Sequence, residues 1–270
     1  MSDILAKNTK PKIVCIQMYS KLGCPEENEE HAQELIGQTA AEQQPDIIIL
    51  PENFKNLGKL KENLADHCYK DGDGIKRRIG ALAKKYNVNI VAGSEADMHN
   101  GKIYNTAFIF DRSGECIATY DKTHLVYPSE FKHHPEGDSL CTFMLDGIKC
   151  GIVICNDLKF PEPIRKLALE GIEILFVPSA WPDSTLFRLE PLRLARAIEN
   201  QIFVVNCNAC APGLGKVNAG NSVIIDPSGR VIASAGATEE IIMAECDLHL
   251  IENARRGGQS IFERIRPELY

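Results

Sequence analysis

Apolar and polar positions follow two different periods along this chain, and the points where the period changes locate its elements. Residues 12–18 form a compact apolar run around Ile13, Val14 and Ile16 that predicts a first strand. Pro25 then opens a polar stretch expected to be helical to about Gln44, since proline is tolerated at the first helical position. Residues 46–50, bounded by Pro45 and Pro51, are too short and too β-branched for a helix and predict a buried strand. Ile75, Ile79, Leu82, Ala83 and Tyr86 recur at helical spacing, and residues 88–93 return to a strand pattern. The same alternation recurs with a helix over 164–169 and a strand over 172–177. Strand–helix–strand order favours parallel neighbours, because the helix carries the chain back to the starting edge.

Turn signals interrupt this order. Asp111-Arg112-Ser113-Gly114, Asp146-Gly147 and Asp226-Pro227-Ser228-Gly229 each separate two apolar β runs and predict hairpins, so antiparallel pairs must also be present. The expected fold class is α/β with mixed sheets. No linker or low-complexity stretch divides the chain. One domain over residues 1–270 is therefore expected, with a core of about 12–250 and a C-terminal extension over 251–270.

Composition narrows the partners. At 270 residues, 44% hydrophobic and 25% charged, the chain reads as a globular protein with a sizeable core. A formal charge of −7 argues against nucleic acid or an anionic membrane as partner, since both attract a basic stripe. Lys76-Arg77-Arg78 and Arg255-Arg256 are short, scattered and read as solvated surface. Met1 to Lys10 lacks the apolar core of a secretory signal, and no apolar run approaches the length of a spanning helix. Ten cysteines sit mostly inside apolar runs, as Cys15, Cys116, Cys141, Cys150 and Cys246 do. That usage suits small buried hydrophobes in a reducing cytoplasm better than a disulfide framework.

Three reactive groups lie just past strand-like runs. Residues 47–50 lead into Pro51-Glu52, 115–120 into Asp121-Lys122, and 151–154 into Cys155. Open α/β sheets bind ligands beyond the carboxyl ends of their strands, so a carboxylate, an ammonium and a thiol there can converge on one crevice. Taken singly, each has a bland alternative: a turn residue, a solvated cation and one more buried cysteine.

Taken together they carry a resemblance. Leu50-Pro51-Glu52, Tyr120-Asp121-Lys122-Thr123-His124-Leu125 and Gly151-Ile152-Val153-Ile154-Cys155-Asn156-Asp157-Leu158-Lys159-Phe160-Pro161-Glu162 occur in the order and context of the nitrilase, or carbon–nitrogen hydrolase, superfamily. Pro178-Ser179-Ala180-Trp181-Pro182, Ala195-Arg196-Ala197-Ile198-Glu199-Asn200, Gly220-Asn221-Ser222 and the ending Arg266-Pro267-Glu268-Leu269-Tyr270 are similar as well. The resemblance runs from about Lys12 to the end of the chain. It implies a four-layer α-β-β-α sandwich, a Glu52–Lys122–Cys155 triad, a homo-oligomer (dimer or higher) and no metal or organic cofactor.

The chemistry such a triad performs is acyl transfer. A cysteine attacks as thiolate, and a free thiol with a pKa of about 8.5 is mostly protonated at neutral pH. Beside Cys155, Glu52 would take the thiol proton, pass it to the departing amine and then activate water against the thioester. Lys122 would stabilise the oxyanion together with the backbone N–H of Asn156. Glu130, eight residues beyond Lys122, corresponds in the resembled family to a second glutamate that orients the lysine or the substrate. Trp181 reads either as a core or turn residue or as a pocket wall. The expected reaction is hydrolysis of a small non-peptide amide. The C-terminal half looks most like the omega-amidases, which act on monoamides of short dicarboxylic acids. Asn156, where an aromatic residue is common, and Leu-Phe-Arg-Leu-Glu-Pro over 186–191, where a His-Trp pair is usual, depart from that branch. A carbamoyl amine or a nitrile remains an alternative substrate, and an acyltransferase or a catalytically silent interaction module an alternative class.

Three weaker signals stand apart. Cys207-Asn208-Ala209-Cys210 has redox-pair spacing but no second pair to complete a zinc site. His133-His134 with Glu136 and Asp138 is read as a polar lid or loop in preference to a metal cluster, because adjacent side chains point apart. Gly213-x-Gly215-Lys216 lacks the spacing of a phosphate loop.

Overall fold

Two β-sheets pack face to face in a computed structural model that describes residues 7–55, 64–211, 218–256, 260–266 and 268–269. The first sheet has eight strands. In spatial order they run Glu240–Glu245, Lys12–Gln17, Ile47–Ile49, Asn89–Val91, Lys102–Phe110, Glu95–His99 and Tyr69–Lys70, with Cys116–Asp121 also paired to Lys102–Phe110. The second has six, ordered Val231–Ser234, Val223–Ile225, Phe203–Asn208, Ile174–Ser179, Ile148–Ile152 and Cys141–Leu145.

The period of two decides which side chain faces which layer. Ile13, Cys15, Ile47, Ile49, Val91, Ala107 and Ile109 point toward the second sheet and form one core with its strands. Their neighbours Val14, Ile16, Ile48, Leu50, Ile90, Phe108 and Phe110 point outward and form a separate core under the helices Pro25–Gln43 and Asp73–Tyr86. On the far side, Ile164, Leu167, Leu189 and Ala197 seat the helices Pro161–Leu169 and Leu186–Asn200 on the second sheet. The layers are thus α-β-β-α, with mixed sheets in both halves.

Parallel pairing holds where helices intervene: Lys12–Gln17 with Ile47–Ile49, Ile47–Ile49 with Asn89–Val91, and Ile174–Ser179 with both Ile148–Ile152 and Phe203–Asn208. The three flagged turns make antiparallel hairpins. Asp111 Oδ1 accepts from the Ser113 and Glu115 N–H groups, and Asp226 Oδ1 from those of Ser228 and Arg230, so both Asp-x-Ser-Gly turns close the same way. A fourth hairpin, His99-Asn100-Gly101-Lys102, escaped the pattern because its first strand, Glu95–His99, is polar. The strand expected over 172–177 runs from Ile174 to Ser179, since Ile172 still belongs to the turn after the helix. Cys116 and Cys141 are only half-buried, and all ten cysteines are free.

Arg112 joins the ends of the two sheets. Its guanidinium donates to Asp46 Oδ1 at 2.6 Å and to Asp146 through Nε and Nη2 at 2.6–3.0 Å. Arg112→Ala leaves two half-buried carboxylates facing each other and is expected to lower stability by about 2 kcal/mol, read as the denaturation midpoint. Among the described residues no helix is long and apolar enough to cross a membrane. The C-terminal stretch contributes a helix, His249–Ala254, and Gln201 ties it down by donating to Ala254 O and accepting from the Ile261 N–H. The Gly213-x-Gly215-Lys216 stretch lies outside the described residues, as do Pro267 and Tyr270 of the C-terminal motif.

Candidate active site

Beyond the Ile47–Ile49 strand the chain turns at Glu52 and Asn53, the latter with φ 51°. This turn sits against Gly93 at φ 56°, where an added Cβ would lie 2.0 Å from Pro51 O. Only glycine allows that approach, which lets Asn53 N–H donate to Ser94 O at 2.7 Å and fixes the base of the Glu52 side chain. Lys122 directly follows the Cys116–Asp121 strand, with its N–H on Asn105 O and its own carbonyl accepting from Gly137 N–H, both at 2.9 Å.

The side chains meet in a dry place. Glu52 is 2% and Lys122 1% exposed. Lys122 Nζ donates to Glu52 Oε1 at 2.7 Å and to both oxygens of Glu130 at 2.9 Å. Glu130 is itself held by the Val126 N–H at 2.6 Å. Glu52 Oε1 also accepts from Asn105 Nδ2, and Glu52 Oε2 from the Ala180 N–H, each at 2.9 Å. Burial alone would lower the pKa of Lys122, but Glu52, Cys155 and Glu130 outweigh it and the ammonium is held well above its usual range. Burial raises the Glu130 carboxyl, against the pull of Lys122.

Cys155 stands where the Ile148–Ile152 strand gives way to a single 3-10 turn, Cys155–Lys159. Its φ is 46°, a left-handed conformation that costs a non-glycine residue about 1–3 kcal/mol unless its surroundings enforce it. Here they do. Asp157, fully buried, accepts from the Ile154 N–H at 2.8 Å and so closes the turn around Cys155. The same carboxylate accepts from the Tyr120 hydroxyl and the His124 N–H at 2.8 Å and from Thr123 Oγ1 at 3.1 Å. Residues on both sides of Lys122 are thereby fastened to the turn that carries the thiol. Burial pushes the Cys155 thiol well up, and Glu52 adds to this, while Lys122 and a backbone hydrogen bond from Ala180 pull the other way. Burial and Glu52 thus favour the protonated thiol over the thiolate, next to the Lys122–Glu52 ion pair. A thiol held in that form can attack only once a base takes its proton.

Asp157 also hydrogen-bonds the His124 ring at 2.9 Å, and this contact raises the imidazole pKa against burial. A raised folded-state value means that the stabilisation is complete below about pH 6.5 and is lost as pH rises through the folded-state pKa. His124→Gln should therefore narrow its melting-temperature deficit relative to wild type as pH climbs from about 6 toward 9.

The remaining expectations fare differently. Asn156 spends its side chain on His124 O and Leu125 O, at 3.2 and 3.1 Å, and so braces the same loop. Trp181 is 3% exposed, with its backbone N–H on Asn208 Oδ1 at 2.7 Å and Nε1 on Thr185 O at 3.1 Å, which makes it a packed turn residue next to Ala180. Lys159 Nζ lies 5.1 Å above its ring. Cys207 and Cys210 direct their sulfurs to Ile16 O and Gln17 O on the facing sheet. His134 is buried with Nδ1 on Ile103 O at 3.0 Å, and burial together with nearby Lys122 and His133 lowers its pKa. It lies near enough to Lys122 and Glu52 for both to act on its ring. Asn105, Asp157 and the Ala180 N–H carry no signal strong enough to single them out in the sequence. Asn105 and Asp157 do show there as polar residues beside apolar runs, but a backbone donor leaves no such mark.

The carbon–nitrogen hydrolase family pattern matches residues 12–256. A 2-oxoglutaramate amidase of Bacillus subtilis (strain 168) is 38% identical, covering 96% of this chain and 98% of its own length. An omega-amidase of Saccharomyces cerevisiae is 30% identical over 94% of this chain and 92% of its own. The crystal structure of Saccharomyces cerevisiae Nit3, a member of branch 10 of the nitrilase superfamily, superimposes with a TM-score of 0.88 at 28% identity, covering 98% of this chain and 99% of that one. With its α-β-β-α fold and this extent of similarity, the chain belongs to the carbon–nitrogen hydrolase family of the nitrilase superfamily and is a carbon–nitrogen hydrolase.

Proposed function

We propose that the chain hydrolyses the terminal amide of a short dicarboxylic acid monoamide through a thioester on Cys155. The observation that carries this reading is the buried Glu52–Lys122–Glu130 set next to a thiol that needs a base. Glu52 takes the Cys155 proton as sulfur attacks the amide carbon and returns it to the leaving ammonia. It then removes a proton from the water that cleaves the thioester. Lys122 stabilises the oxyanion. Its three N–H groups already face Glu52 and Glu130, so one contact to Glu130 gives way as the oxyanion arrives. The backbone N–H of Asn156 is the second donor.

The names of the two amidase relatives support the substrate class. Lys159, exposed on the same turn as Cys155, offers a cation for the distal carboxylate. Ten free cysteines fit a reducing cytoplasm, and exposed Phe187 and Ile198 on the helix Leu186–Asn200 fit burial in a homo-oligomer. The test is ammonia release from a panel of dicarboxylic monoamides, carbamoyl amines and nitriles. Turnover of the monoamides by at least tenfold over the others is expected, and preference for a carbamoyl amine or nitrile overturns the substrate assignment.

A further inference from the structure

The carboxylate of Glu52 is held unevenly. Among the described residues Oε1 accepts two hydrogen bonds, from Lys122 Nζ and Asn105 Nδ2, whereas Oε2 accepts one, from the Ala180 N–H. A carboxylate oxygen has two lone pairs, so Oε1 is full and Oε2 keeps one free. The Ala180 N–H that reaches Oε2 also acts on the Cys155 thiol, so Oε2 is the oxygen of Glu52 that shares a neighbour with the sulfur.

Asn105 is an odd choice for its position. It is 1% exposed in the Lys102–Phe110 strand, just before the core residues Ala107, Phe108 and Ile109. Among the described residues its Oδ1 is enclosed and has no hydrogen-bond partner. A buried, orphaned acceptor is destabilising, and an apolar side chain of similar shape would avoid it. Turning the amide over would set Oδ1 against Glu52 Oε1, two acceptors face to face, so the charge on Glu52 fixes the orientation. The main-chain oxygen of Asn105 meanwhile accepts the Lys122 N–H at 2.9 Å. One residue thus holds the carboxylate by its side chain and the lysine segment by its backbone.

We infer that Asn105 is a positioning residue whose Nδ2–H bond fills Glu52 Oε1 and turns Oε2 toward Cys155 as the proton acceptor. The S–H bond breaks and an O–H bond forms at Oε2, while the sulfur pair makes the S–C bond and the carbonyl π pair moves to oxygen. When the C–N bond breaks, its electron pair leaves with nitrogen and the Oε2 proton joins it. This rests on the reading of Cys155 as nucleophile, and the test separates the two.

The experiment compares wild type, Asn105→Leu, Asn105→Asp and Cys155→Ala in three measurements: monoamide hydrolysis, the rate at which iodoacetamide alkylates residue 155 by mass spectrometry, and the thermal midpoint. Asn105→Leu should lower kcat about 100-fold with KM little changed, slow Cys155 alkylation, and melt no lower than wild type. Asn105→Asp, nearly isosteric, should be as slow at neutral pH and recover part of its rate on acidification, because only the protonated carboxyl donates to Oε1. Wild-type rates in Asn105→Leu, or losses in both variants that track only the unfolded fraction, overturn the inference. If Cys155→Ala retains hydrolysis, both it and the parent reading fall. If Cys155→Ala is dead and Asn105→Leu is not, the inference alone falls.

Discussion

Cys155→Ala is expected to cut amide hydrolysis by on the order of 10⁵-fold or more, the scale seen when a covalent nucleophile is removed. It should also abolish the acyl adduct that mass spectrometry traps on the wild-type protein. The loss is chemical and not structural. Cys155 is held at φ 46° by the Asp157–Ile154 contact, which an alanine leaves in place, and the deleted sulfur is a single small atom at the end of a strand. The thermal midpoint should therefore change by the equivalent of about 1 kcal/mol at most. Nine other cysteines provide the control. Cys150 and Cys207 are fully buried with strongly raised thiol pKa values, and among the described residues neither stands beside a buried carboxylate–ammonium pair. An acyl adduct found on any of the nine would sink the assignment.

Lys122→Met should fail in both stability and rate. The ammonium is 1% exposed and is the cation that Glu52 and Glu130 both face. Removing it leaves two carboxylates facing each other in a dry site, a change that costs about 3–5 kcal/mol in known buried pairs. For a chain of this size that is roughly 10 °C of melting temperature. The cost should depend on pH in a defined sense. Burial already raises the Glu130 pKa, and Lys122 is the group that holds it down. Without Lys122 that pKa rises further. The variant then binds a proton more tightly folded than unfolded, is least damaged below about pH 4.5, and loses stability as pH rises through the raised value. Hydrolysis should fall by about 10³-fold even in the folded fraction, since the oxyanion loses its charged donor. A variant that melts like wild type at neutral pH would refute this account of the pair.

Much of this site is legible in the sequence. Glu52, Lys122 and Cys155 stand out because each follows an apolar β run, whereas Glu130 is singled out only by the family resemblance. The strands that escaped notice, Glu95–His99 and Tyr69–Lys70, are the polar ones. Glu95, Ala96 and Asp97 are buried all the same, and Asp97 accepts hydrogen bonds from Gly72 N–H and the His99 ring. Such a strand is specified by its partners and not by its own period. Asn156 shows the converse limit. As a residue type after Cys155 it suggests only a backbone donor, and the reach of its amide to His124 O and Leu125 O depends on a loop more than thirty residues away.

The division has a physical cause. Periodicity, turn chemistry and residue type are local, so the chain by itself determined the mixed sheets, most of the helices that cover them, three of the hairpins and the three polar groups that follow apolar β runs. What a group does depends on charge and solvent within a few ångströms, and those neighbours are brought in from distant positions. Only the tertiary structure decided that burial favours the protonated form of the Cys155 thiol, that Lys122 lies between two carboxylates, and that among the described residues Glu52 Oε2 accepts a single hydrogen bond. Asn105 and the main chain of Ala180 hold the Glu52 carboxylate, and Asp157 closes the turn at Cys155. Asn105 belongs to one sheet and the other two follow strands of the far one, so they meet only when the two sheets close on each other.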